Sequence, residues 1–307
     1  MTGDRSGQGA SSTSPPRRSR SSPPSAAASS GSSSTGRALR ALAGRHGVEP
    51  SKALGQHFLI DANLAAAIAR DADVGPGVRV AEIGAGLGAL TVALADAGAD
   101  EVLAIEFDRA LLPALDEVVA GRPAVRVLAA DATHLDWAAT LGEGRWTCCA
   151  NLPYNVGTRI VLDLLAATAV DPIVVMLQRE VGERLVAGPG TEAYGPASLR
   201  VAQRSAARLV RDVPPEVFWP RPGVGSVVVR LDRHPGPPTP VDEAALWRVV
   251  DEAFAQRRKT IRNAVRRLGF GPSDASAVLG RAGVDPDVRP EQLALADYVA
   301  IVGALPA

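Results

Sequence analysis

The sequence predicts an α/β protein: a parallel sheet covered by helices on both faces, followed by a small helical domain. Three observations lead there. From Val78 onward, short β-rich apolar runs alternate with segments that are apolar at helical spacing. The first of these runs ends in a glycine-rich turn, "EIGAGLGALT". A Pro/Gly stretch, "HPGPPTP", then closes the alternation, and no strand pattern follows it.

The elements follow in order. "VRVAEIG" is the first strand of the alternation and "LGALTVALADAG" its helix. "EVLAIEFD" is a second strand, "ALLPALDEVVAG" a helix and "VRVLAADA" a third strand. "WTCCANLPY" holds a fourth strand, "TRIVLDLLAAT" a helix and "IVVMLQRE" a fifth strand. Strands separated by helices in this way require crossover connections, hence parallel pairing buried on both sides. "ARLVRDV" and "GSVVVRL" are two further strands, joined by the Pro-rich "PPEVFWPRPGV". Beyond the break, Glu243 to Leu268, "SDASAVLGRAG" and "PEQLALADYVAIVGAL" read as helices. These boundaries divide the chain into a tail over residues 1–36, an α/β domain over 37–236 and a helical domain over 237–307.

Of the 307 residues, 46% are hydrophobic, enough for a substantial core. Residues 1–36 are the exception: Ser- and Pro-rich with almost no large apolar side chain, they are expected to be disordered. Their Arg- and Ser-rich, acid-poor composition is also that of an organellar transit peptide. No stretch approaches the apolar length of a membrane span, and the adjacent Cys148 and Cys149 suit neither a disulfide nor a metal site. A cytoplasmic protein with buried thiols is expected. Only Lys52 and Lys259 accompany 31 arginines, and with the abundant alanine and glycine this points to a high-GC bacterial source.

The net charge is zero, but its distribution is uneven. Residues 53–199 carry 9 basic and 19 acidic groups, whereas residues 200–270 carry 14 and 7. Such asymmetry points to a polyanionic partner better than the total does. Arg258, Arg262 and Arg266 recur every four residues in "QRRKTIRNAVRRLGF", so a helix there would place them on one face, with Arg257 and Lys259 beside it. A solvated face is the usual fate of such a run. The absence of acidic neighbours four residues away favours a phosphate-contacting one.

In parallel sheets ligands sit at the carboxyl ends of the strands, beside the point where strand order reverses. Gly84, Gly86 and Gly88 after the first strand permit a tight turn and close approach of backbone to a ligand. With Ala89 they also satisfy a dinucleotide fingerprint. Glu106, at the end of the second strand, can accept from both hydroxyls of a ribose. Asp131, after the third, can accept from the amine of an adenine. The fourth strand delivers Asn151-Leu152-Pro153-Tyr154. An aromatic exocyclic amine is a poor nucleophile because its lone pair is delocalised. The Asn151 side-chain oxygen, with the backbone carbonyl of Leu152 or Pro153, can accept its two hydrogens and hold the nitrogen in line with an electrophile. Proline stiffens the loop, and Tyr154 can stack on a flipped base. This layout is that of methyltransferases that use S-adenosyl-L-methionine, and it assigns no metal.

From about Lys52 to Leu305 the chain resembles the 16S ribosomal RNA adenine dimethyltransferases of the KsgA type. "KALGQHFL", "EIGAGLGALT", "IEFD", "ADA" and "NLPYN" carry the resemblance through the cofactor fold. "LQREVGERLVAGPGTEAYG", "PPEVFWPRPGVGSVVVRL" and "FAQRRKTIRNAVRRLG" extend it. The resemblance implies a Rossmann-like class I S-adenosylmethionine-dependent methyltransferase. It implies cofactor contacts at His57, Leu59, Gly84, Gly86, Glu106, Asp131 and Asn151, with Gln56 in the same segment. It places Phe218 beside the target base as a second aromatic wall. The implied reaction transfers four methyl groups to two adjacent adenines in the 3′-terminal hairpin loop of small-subunit rRNA, on an assembling subunit, by a monomer. The tail lies outside the family core, though Arg17, Arg18 and Arg20 make it cationic.

Three rivals remain. A large-subunit rRNA adenine methyltransferase of the macrolide-resistance type shares the cofactor fold, but the "QRRKTIRNAV" and "EVFWPRP" segments favour the small-subunit enzyme. A noncatalytic RNA-binding assembly factor would have no use for an intact "NLPY". An NAD oxidoreductase would offer Asn151–Tyr154 no role.

Overall fold

The computed structural model describes residues 29–51, 53–236 and 239–306. Chain order begins with α1 (Ser29–Arg45), β1 (Phe58–Leu59) and α2 (Ala62–Asp71). The alternation then runs β2 (Arg79–Ile83), α3 (Ala89–Asp96), β3 (Glu101–Glu106), α4 (Leu112–Val119), β4 (Val125–Ala129), α5 (Trp137–Leu141), β5 (Trp146–Asn151), α6 (Gly157–Ala166) and β6 (Val170–Gln178). Next come α7 (Arg179–Val186), α8 (Pro196–Arg204), β7 (Ser205–Val213), β8 (Phe218–Trp219) and β9 (Ser226–Arg233). The chain closes with α9 (Glu243–Ala255), α10 (Ile261–Arg267), α11 (Pro272–Arg281) and α12 (Leu295–Gly303).

Seven strands form the main sheet in the order β4-β3-β2-β5-β6-β9-β7. The five from β4 to β6 are parallel, as expected. β9 then runs antiparallel to both β6 and β7, so the two late strands make a reversed edge rather than extending the parallel set. Strand order reverses between β2 and β5, which opens the ligand crevice at their carboxyl ends. Alternation along β2 divides the core. Ala81 and Ile83 join the layer beneath α5 and α6, while Val80 joins the layer beneath α2 and α3. The Arg233 guanidinium donates to the carbonyls of Leu164, Leu165, Ala167 and Val170, satisfying the end of α6. The opposite end of that helix carries the "NLPYN" loop.

Two expectations are corrected. The tail was expected to reach residue 36, yet α1 begins at Ser29. Leu39, Leu42 and Ala43, at helical spacing, are buried against Phe58, Ile60 and Leu111, and this stripe anchors the helix. Residues 1–28, with Arg17, Arg18 and Arg20, and Lys52 lie outside the described residues. The expected helix from Glu243 to Leu268 is two helices. Leu246, Val249, Val250 and Ala253 form the buried stripe of α9, and its continuation would bury Gln256, Arg257 and Thr260. The chain breaks instead, and α10 restarts with Ile261, Ala264 and Val265 facing the core. That helical core is completed by Tyr194 and Leu199, from the α/β region.

Candidate active site

The three glycines after β2 have φ of +73°, +58° and +80° at Gly84, Gly86 and Gly88. At Gly86 a Cβ would also stand 3.1 Å from the Phe58 ring, so both conformation and space demand glycine there. The turn opens a cleft of about 1000 Å³, mouth included. Its walls come from the carboxyl ends of β2, β3, β4 and β5 and from residues 54–58, which pass over it as a strap.

Each predicted acceptor is held by protein hydrogen bonds. Glu106 is buried, its Oε2 accepting from the Gly86 N–H and its Oε1 from the Asp108 N–H, both at 2.8 Å. Burial raises its carboxyl above the usual range, and those amide bonds oppose the shift. Asp131 Oδ1 accepts from the Thr133 hydroxyl at 2.7 Å and the Thr133 N–H at 2.8 Å, while His134 Nδ1 lies 3.0 Å from Oδ2. The Thr133 hydroxyl is the main reason its carboxyl is lowered, so it is ionised at neutral pH. Gln56 Oε1 accepts from the Ser51 N–H, and its Nε2 donates to Asp108, each at 2.7 Å.

Asn151 carries the sharpest constraint. Its Nδ2 donates to the His57 carbonyl at 2.9 Å. A carbonyl only accepts, so the amide has one orientation, with Oδ1 left as an acceptor. The Pro153 carbonyl already accepts from Val156 N–H at 3.3 Å and Gly157 N–H at 3.1 Å at the start of α6. Of the two carbonyls that the sequence left open as partners for an amine, this favours Leu152. Tyr154 stacks on His57 with ring centroids 5.1 Å apart and planes at 30°, and its hydroxyl lies 3.0 Å from Ser226 Oγ. His57 Nδ1 lies 2.7 Å from the Pro220 carbonyl and must be the protonated nitrogen.

Gln56, His57, Gly84, Gly86, Glu106, Asp131, Asn151, Leu152, Pro153 and Tyr154 all line the cleft. Leu59 and Phe218 do not. They are register partners across β1 and β8, 4% and 2% exposed, within the core layer under the cleft. Their side chains therefore lie beneath the strap rather than on the cleft wall. Residues that the sequence reading missed fill the rim. Phe107 is 58% exposed on the cleft wall beside Glu106, an aromatic face available to a flat ring. Its signal was its place directly after a strand-end acid. Asp108, Thr133 and His134 act as braces, and the Asp-x-Thr turn was readable in "ADATH".

The basic segment is rearranged by the helix break. Arg257, Arg258 and Lys259 occupy the turn between α9 and α10, and of these five predicted cations only Arg262 and Arg266 lie on α10. The expected single helical face does not form. Arg262 pairs with Asp287 at 3.0 Å, and Arg257 donates to the Thr191 carbonyl at 3.2 Å and faces Glu291. Arg258, Lys259 and Arg266 are exposed and make no ion pair among the described residues.

A reversed-edge parallel sheet, a glycine turn, a buried strand-end carboxylate and an Asn-x-Pro-Tyr loop define a class I S-adenosylmethionine-dependent methyltransferase. Comparison with known proteins narrows this. The family described as ribosomal RNA adenine dimethylase matches residues 49–305, and the chain belongs to that family. Ribosomal RNA small subunit methyltransferase A of Moorella thermoacetica is 45% identical over 277 residues, covering 87% of this chain and 96% of the relative. The protein of the same name from Kineococcus radiotolerans is 43% identical, covering 88% and 91%. Among solved structures, a dimethyladenosine transferase from Plasmodium falciparum shares the fold, with a TM-score of 0.69 at 22% identity over 80% of this chain and 96% of that one. The 23S rRNA methyltransferase ErmE has a TM-score of 0.62 at 26% identity, covering 81% and 99%. No described helix is long and apolar enough to cross a membrane.

Proposed function

We propose that this methyltransferase dimethylates the N6 amines of two adjacent adenines in the 3′-terminal hairpin loop of 16S small-subunit rRNA, during assembly of the small subunit in the bacterial cytoplasm. The observation that carries the reading is the amide of Asn151, locked by the His57 carbonyl with its oxygen free to accept from an amine. The small-subunit relatives, at 41–45% identity, supply the target.

The residues present fit S-adenosyl-L-methionine. Glu106 keeps unused acceptor capacity for ribose hydroxyls, and Asp131 can accept from an adenine amine against the face of Phe107. When bound, that molecule supplies a methyl group on a positively charged sulfur, so no metal and no strong base is required. Asn151 Oδ1 and the Leu152 carbonyl accept the two amine hydrogens and orient the nitrogen lone pair toward the methyl group. Tyr154, kept a neutral phenol by burial, offers its ring to the base. Each transfer exchanges the methyl–sulfur bond for an N–CH3 bond, and one proton leaves the nitrogen for solvent. The monomethylated amine still has one hydrogen for either acceptor, so the same pair serves the second transfer. A single chain supplies every one of these groups, which supports action as a monomer. Arg258, Lys259 and Arg266 remain free for phosphates.

The test is labelled methyl transfer to small subunits lacking the modification, followed by nucleoside mass analysis, with large-subunit RNA alongside. N6,N6-dimethyladenosine in small-subunit RNA alone is the expected result. Label in large-subunit RNA would favour the second reading, which the structural likeness to ErmE keeps open. No label, with RNA and S-adenosylmethionine still bound, would make the protein a noncatalytic assembly factor.

A further inference from the structure

Ser226, the first residue of β9, is fully buried, and its hydroxyl lies 3.0 Å from the phenol of Tyr154, 72 residues earlier in the chain. A buried strand serine usually turns its hydroxyl to a nearby backbone carbonyl, as Ser205 does toward Val201. Ser226 instead reaches a side chain in the cleft. The same segment makes a second contact through an intermediary. Pro220, six positions earlier, accepts from His57 Nδ1 at 2.7 Å, and His57 stacks on the Tyr154 ring. The segment 220–226 therefore sets Tyr154 twice, at the hydroxyl edge and through the ring covering one face.

We propose that Ser226 is a positioning residue for methyl transfer: by holding the Tyr154 hydroxyl it fixes the ring plane, so that the target adenine is received on the face opposite His57. The inference rests on the methyltransferase reading of the cleft. An aromatic ring with a free χ2 would present a range of planes to the base. Orientation errors of that kind are costly when the reacting nitrogen must point along one line. A hydroxyl tether removes that freedom without touching the cofactor side of the cleft. Among the described residues no hydrogen bond joins Ser226 to Gly84, Glu106 or Asp131.

The experiment is a double-mutant cycle on the full chain with Ser226→Ala, Tyr154→Phe and the double variant. Single-turnover methyl transfer to unmodified small subunits is measured beside calorimetric S-adenosylmethionine affinity. Tyr154→Phe breaks the tether from the cleft end, so it remains informative if Ser226→Ala perturbs folding. If the tether is what matters, each single variant loses about tenfold in rate, the size of one neutral hydrogen bond. The double variant then loses no more than either, and cofactor affinity stays within twofold. Ser226→Thr, which keeps the hydroxyl, should recover most of the rate. Unchanged turnover in Tyr154→Phe, additive losses, or a parallel loss of cofactor affinity would each overturn the positioning role while leaving the enzyme reading intact. A wild-type protein that transfers no methyl group would sink both.

Discussion

The cleft and the basic turn carry opposite kinds of polar group. In the cleft each acceptor-bearing side chain is half-buried or buried and fixed by the protein: Glu106 accepts from two backbone amides, Asp131 accepts from Thr133, and Asn151 donates through its amide nitrogen to the His57 carbonyl. In the turn and on the α10 that follows it, Arg258, Lys259 and Arg266 reach into solvent without ion-pair partners among the described residues. The proposed function accounts for the difference. Methyl transfer to an aromatic amine needs acceptors fixed to within fractions of an ångström, because the lone pair must be aimed. Phosphate attraction needs only charge within reach, and it tolerates long flexible side chains. Arg257 and Arg262, drawn into bonds with Thr191, Glu291 and Asp287, belong with the cleft in kind, since they hold structure.

The largest effect is expected in the cleft. Asn151→Ala removes the oriented acceptor and should lower the rate of methyl transfer by about 100- to 1000-fold, the range for loss of one preorganised polar group. The far-ultraviolet circular dichroism spectrum should be unchanged. Turnover within threefold of wild type would erase the distinction between the two regions. Gly86→Ala should act on binding instead, because a Cβ at φ +58° presses on Phe58 beneath the turn. Its expected signature is a loss of cofactor affinity of about tenfold or more, the equivalent of the strain at one left-handed position, read by calorimetry.

The turn should show the other behaviour. Reversing Arg258, Lys259 and Arg266 to Glu should weaken small-subunit binding by about 10- to 100-fold at 0.1 M salt and flatten the log–log salt slope by roughly two to three. Cofactor affinity should not move. Arg262→Ala should leave the salt slope unchanged, because that guanidinium is engaged with Asp287. If it flattens the slope as much as Arg266→Ala does, the proposed separation of holding and reaching arginines is wrong.

Legibility in the sequence follows the same division. Strands β2 to β6 and helices α3, α4 and α6 were readable because apolar period and glycine placement agree locally, whereas the short α5 was not read. The meeting of Glu106, Asp131 and Asn151 in one cleft was readable because strand ends in such sheets share one crevice. The burial of Phe218 and Leu59 was not, since it depends on β1 pairing with β8 across nearly 160 intervening residues. Nor was the choice between the Leu152 and Pro153 carbonyls, which depends on where α6 starts. The helix break at Gln256 was recoverable. The stripe of α9, carried one turn further, lands on Gln256, Arg257 and Thr260, and the four-residue recurrence of arginine drew attention from that conflict.

Glu82 offers the smallest effect on turnover and the finest probe of how rigid the cleft floor is. It lies on β2, two residues before Gly84, is 1% exposed, and its Oε2 has no hydrogen-bond partner among the described residues. Burial, with a smaller contribution from the charge of Glu106, pushes its carboxyl up to about 8, so it is neutral at pH 7. In the unfolded chain the same group ionises near 4.5. The folded state therefore binds the extra proton across the window between those values. Its stability contribution is fully present below 4.5 and is lost as the pH rises toward 8. Glu82→Gln keeps the shape and removes the titration. Wild type should lose thermal midpoint between pH 5.5 and 8.5 by several degrees more than the variant does, while methyl transfer at pH 7 stays within about twofold. Parallel midpoint curves for the two proteins would mean that Glu82 ionises freely in the fold. The floor beneath the glycine turn would then be open to water, and the contrast between a fixed cleft and a mobile basic turn would weaken at its base.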